Sequence, residues 1–161
     1  MNIKVILQNA AYAALYVVLC FAFAPISFSM VQVRIAEALC IMPLFDKSAV
    51  ISITIGCFLS NLLMSNVPDA IFGTLATFIG LLLIKYIKTN NFFIKMLPTI
   101  ISNAVIIPFV LKFAYGLTEV PIYISAIYVA IGEVIAIYVV GFLFYKVIQH
   151  LVRKNIISFI Q

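Results

Sequence analysis

Charged and catalytic side chains are what this chain has least of. Of 161 residues, five are acidic, ten are basic and one is histidine, so only 9% carry charge. The histidine, His150, lies in a basic tail, far along the sequence from every acid and cysteine. It is read as solvated, and neither a metal cluster nor a Cys–His pair assembles around it. The three cysteines, Cys20, Cys40 and Cys57, have no CxxC spacing and stand in apolar runs, as small buried hydrophobes do. There is no glycine-rich phosphate loop, no nucleotide motif, no internal repeat and no low-complexity stretch. These absences exclude an enzyme and give no reason to expect a metal or cofactor.

What remains is apolar. Hydrophobic residues make up 66% of the chain, and the mean hydropathy is +1.25. Soluble domains are nearer half apolar, and a bilayer core takes about 20 mostly apolar residues per helical span. The expectation is an all-α membrane protein, a single domain over residues 1–161 with six transmembrane helices. The spans are placed at about 5–24, 28–45, 48–66, 70–86, 96–115 and 122–145. The first is read as a retained helix, because it lacks a convincing small-residue cleavage site. The second has only residues 34–45 as its apolar part, so it must borrow length from the preceding loop or sit in a thinned, protein-lined region. Asp69 is expected to cap the fourth span, and Pro108 to kink the fifth.

Charge placement gives the orientation. Lys4, Lys47, Lys85, Lys88, Lys95, Lys146, Arg153 and Lys154 fall on the side of the termini, leaving Arg34 and Lys112 toward the other. Basic residues concentrate on the cytoplasmic side, so both termini are expected in the cytoplasm and the chain in the cell membrane. The net charge of +5 is therefore topological, not a nucleic-acid footprint.

The polar residues within the spans carry the functional signal, because each charge beside lipid costs about 2.5–3.5 kcal/mol on insertion scales. Ser29–Pro43 holds Gln32, Arg34 and Glu37, read as the rim and wall of a small-molecule site. Arg34 and Glu37 stand three apart and can equally pair on one helix face. Glu133 sits about 18 Å along the sixth span and must face a cavity, meet a partner or be protonated. Asn61 and Asn103 suit either interhelical bonding or ligand contact. Tyr12, Tyr16, Tyr123, Tyr128 and Tyr138 suit ring stacking or interfacial anchoring. Ala10 and Ala14 leave one face of the first span nearly smooth, suited to close approach by another helix inside or outside the chain.

Three stretches, VQVRIAEALCIMP at 31–43, GCFLSN at 56–61 and DAIFGTLAT at 69–77, resemble the QueT branch of the substrate-binding S components of energy-coupling factor (ECF) transporters. The resemblance implies a membrane subunit that captures a queuosine precursor from outside. It implies as partners a transmembrane coupling protein, contacted through Ala10 and Ala14, and two cytoplasmic ATPases. Such precursors carry a 7-deazaguanine ring, and several carry an aminomethyl cation. On that reading Glu133 or Glu37 takes the guanine-like edge or the cation. Asn61 and Asn103 bond other ring atoms, and Gln32 and Arg34 close the rim. The alternatives are an S component for another vitamin and a small proton-coupled carrier that uses Glu133.

Overall fold

A computed structural model describes residues 3–27, 33–114, 116, 120–157 and 159. Six helices follow in order: α1 (Ile3–Ala22), α2 (Ile35–Leu44), α3 (Ala49–Met64), α4 (Asp69–Ile84), α5 (Phe92–Phe113) and α6 (Ile122–Arg153). A single turn, Ala24–Ser27, trails α1, and no strand occurs among the described residues. By length and composition α1, α5 and α6 can each cross a bilayer, while α2, α3 and α4 are shorter and apolar. Large apolar side chains point outward along the bundle, among them Leu7, Ile51, Leu63 and Leu143, each more than 60% exposed. A water-facing surface rarely carries so much apolar area, so these side chains are a lipid-facing coat.

The short second segment solves its length problem by its winding. It is a 3₁₀ helix, with Glu37 N–H bonded to the Arg34 carbonyl and Phe45 N–H to that of Met42, both at 2.9 Å. A rise of about 2.0 Å per residue stretches ten residues to about 20 Å, against about 15 Å for an α-helix. Every residue from Ala36 to Met42 is buried, because α2 is enclosed by α1, α3 and α6. A helix that is apolar all round belongs in the middle. With three residues per turn, Glu37 and Cys40 line up along one edge, while Arg34 precedes the helix in a non-helical conformation.

Two helix ends differ from expectation. Asn91 accepts from the N–H groups of Phe93 and Ile94, which starts α5 at Phe92 instead of Met96. Nothing after Tyr145 breaks a helix, so α6 runs on to Arg153, with His150 and Arg153 in its last turn where cations are favoured. Within α6 the residues Val134–Gly141 widen into a π-helical stretch directly after Glu133. Asp69 does not cap α4, since its carboxylate is drawn to Arg34; its own N–H donates to Asn66 Oδ1 at 2.8 Å.

Gln8 near the start of α1 donates to Asp46 in the α2–α3 turn at 2.7 Å, and Phe45 stacks near Tyr145 of α6. The start of α1 and the last turns of α6 therefore lie at the same end of the bundle as the α2–α3 and α4–α5 turns.

Glycine sets the closest approaches. A Cβ at Gly56 would meet Tyr16 Cβ at 2.8 Å, and one at Gly80 would meet Thr99 Cα at 2.6 Å. Gly80→Leu is therefore expected to force α4 from α5 and cost about 1–3 kcal/mol. A lower melting temperature in detergent checks it, while the same change at exposed Ala11 should leave melting unaltered.

Candidate functional site

The buried polar side chains form two groups inside the bundle. The larger is centred on Glu37 of α2, which is fully buried. Tyr16 of α1 donates to its Oε1 at 2.5 Å, Thr77 of α4 to the same oxygen at 3.1 Å, and Cys40 to Oε2 at 2.9 Å. Cys57 of α3 bonds Thr77 at 3.7 Å, and Asn61 donates to Cys57 Sγ at 3.5 Å and to the Asp69 carbonyl at 3.3 Å. The line ends at Asp69, whose carboxylate accepts from Arg34 Nη2 at 3.1 and 3.3 Å and from Ser65 at 2.7 Å. One continuous network thus ties α1, α2, α3 and α4 together.

Arg34 and Glu37 do not pair with each other, although their spacing allows it. Arg34 lies beyond the first residue of α2 and reaches Asp69, whereas Glu37 points into the donors of three helices. Tyr16 is correspondingly a buried hydrogen-bond donor, not an interfacial anchor. Asn61 works as interhelical glue, bonding α3 to the start of α4. Gln32 lies outside the described residues.

The second group joins α5 to α6. Asn103 Nδ2 donates to Glu133 Oε1 at 3.0 Å, with both side chains at or below 2% exposure. Among the described residues, Asn103 Oδ1 and Glu133 Oε2 have no hydrogen-bond partner. Each side chain of this hydrogen-bonded pair thus keeps one acceptor open. A buried acceptor without a donor is costly, about 1–3 kcal/mol, and its retention calls for an explanation. An apolar surface groove of about 510 Å³, walled by residues such as Phe72, Val105 and Phe109, offers no comparable chemistry.

Ala10 and Ala14 are exposed on α1, while the neighbouring Ala13 packs against Gly56 of α3. The alanine face thus divides into an inward and an outward part.

Against this geometry, residues 6–150 match the family described as QueT transporter. The chain belongs to the QueT transporter family. It is also 37% identical over 93 residues to "Queuosine precursor transporter QueT" of Lactococcus lactis subsp. cremoris (strain MG1363). That stretch covers 54% of this chain and 55% of the relative, about half of each. No solved structure matches the chain. Membership and the apolar helices together make it a multi-pass membrane protein of a transporter family, not an enzyme.

Sequence reasoning missed Thr77, Asp69 and Ser65 as members of the network. The usable signal was polarity alone, since Ser65, Asp69 and Thr77 stand in or beside apolar spans.

Arg34→Met should leave the buried Asp69 carboxylate without its cation and cost about 3–5 kcal/mol. Arg34→Met with Asp69→Leu should recover most of that loss. Melting of the single and double variants in detergent measures both; a double variant no better than the single would contradict the pairing.

Proposed function

We propose that the chain is the substrate-binding membrane subunit of an ATP-driven ECF importer that captures a queuosine precursor from outside the cell. On this reading it forms one six-span domain with both termini in the cytoplasm. The observation that carries it is the pair of open acceptors on Asn103 and Glu133, in a core where the neighbouring carboxylates are fully engaged. A 7-deazaguanine ring presents its N1–H and 2-amino group as two parallel donors, and two adjacent buried acceptors are their complement. Glu37 has three donors already, so it shapes the wall instead of meeting the ring. On this reading Arg34 stands toward the outer rim, with Asn61 behind it.

Membership in the QueT transporter family and the name of the Lactococcus relative support the choice of cargo. The basic residues gathered at the end that holds the start of α1 and the last turns of α6 support the orientation. With no nucleotide motif in the chain, the energy for uptake comes from two cytoplasmic ATPases acting through a transmembrane coupling protein. The exposed Ala10 and Ala14 face of α1 is where that protein docks, because small residues let helix backbones approach closely in lipid.

Selectivity follows from the same open acceptors. A ring lacking the two donors leaves a buried carboxylate and amide oxygen unmatched, which penalises it strongly. Glu133→Gln is accordingly expected to weaken binding by at least about 100-fold. Asn103→Ala should weaken it less, and the fold should survive in both. Ligand-induced thermal stabilisation, using the 7-deazaguanine base, its aminomethyl derivative, the nucleoside and unrelated vitamins, reads this directly. Equal stabilisation of wild type and Glu133→Gln would reject the assignment, and uptake driven by a proton gradient without ATP would favour a carrier.

A further inference from the structure

A groove of about 650 Å³ opens between α3 and α4 at the end of the bundle that holds the α2–α3 and α4–α5 turns. That volume lies in the range of small-molecule sites. Its walls are apolar, formed by side chains such as Val50, Phe78 and Leu82, and they run out to Ile51 on the lipid-facing coat. Three lysines stand at its mouth: Lys47 from the α2–α3 turn, Lys85 from the end of α4 and Lys95 from the start of α5.

Among the described residues no acid lines the groove. The nearest in sequence, Asp46, is turned inward, accepting from Gln8 at 2.7 Å and from Ser48 N–H and Oγ at 2.8 and 2.7 Å. Among the described residues none of the three lysines forms an ion pair. Lys85 lies 5.4 Å from the centre of the Tyr86 ring, which steadies the ammonium without neutralising it. The other large grooves, lined by Phe109 and Phe113 or by Ile79 and Leu97, have no basic residue in their linings.

We propose that this groove is a binding site for an anionic phospholipid, its phosphate held by Lys47, Lys85 and Lys95 and its acyl chain laid along Val50, Phe78 and Leu82. Basic pockets between membrane helices favour anionic headgroups, and ammonium groups serve phosphate as point charges. A soluble phosphate compound would use the lysines but gain nothing from apolar walls that open to lipid. The bound lipid would brace α3, α4 and α5 at the turns that link them.

The test is native mass spectrometry of the purified full chain, titrated with dioleoylphosphatidylglycerol or dioleoylphosphatidylcholine. Phosphatidylglycerol should be retained preferentially by wild type and bind about tenfold or more weakly to Lys47→Gln/Lys85→Gln/Lys95→Gln. A control with equal charge removed elsewhere, Lys88→Gln/Lys146→Gln/Arg153→Gln, should bind as wild type does. Should the groove triple variant fold poorly, Lys85→Gln alone should still show a several-fold loss. Equal retention of the two lipids, equal loss in the control, or displacement of the lipid by glycerol 3-phosphate would each overturn the proposal.

Discussion

A polar group enclosed by protein and lipid has no water to fall back on, and the whole bundle is arranged around that constraint. Its sharpest expression is the Glu37 carboxylate on the central helix. Three donors from α1, α2 and α4 close on its two oxygens. An ionised carboxylate in such a place costs several kcal/mol unless its lone pairs are matched, so these contacts fix the relative positions of the helices that supply them. Between helices in lipid there is little hydrophobic drive, and close packing at Gly56 and Gly80 combines with this network to hold the bundle. The 3₁₀ winding of α2 belongs to the same solution, because it sets Glu37 and Cys40 on a single edge, where the thiol can donate to the carboxylate.

The two polar groups then divide the work. Around Glu37 and Asp69 each carboxylate is met by several donors, which suits a framework. Around Glu133 one amide donates and two acceptors stay open. The π-helical stretch that begins at Val134 widens the helix just past that residue, and such insertions recur where a helix serves a site. The two groups adjoin, since α2 packs directly against this stretch of α6. A change at Glu133 is therefore felt by the helix that the rest of the bundle encloses.

Long apolar runs made the helices readable from the sequence. Helix α6 runs on past Tyr145 because nothing in Lys146–Arg153 stops it, and α2 is a shorter helix that begins only at Ile35. The winding of α2 was not readable: a ten-residue apolar run has no periodicity that separates 3₁₀ from α. The side-chain partners were less accessible still. Arg34 pairs with Asp69 35 positions away, and Asn103 with Glu133 30 positions away, separations at which no local spacing rule applies. Spacing suggested Arg34 with Glu37, the pair nearest in sequence, and tertiary packing chose otherwise. What the sequence did single out was the scarcity itself: Arg34, Glu37, Asn61, Asn103 and Glu133 stood out as polar groups in spans, and all five are buried.

The claim on which the functional account stands is that Glu133 keeps an oxygen open for cargo while Glu37 does not. Infrared difference spectra recorded on adding the 7-deazaguanine base test it at the carboxyl groups themselves. The account predicts carboxyl bands that shift on binding in wild type and persist in Glu37→Gln, but vanish in Glu133→Gln at saturating base. Bands that survive loss of Glu133 and disappear with Glu37 would contradict it.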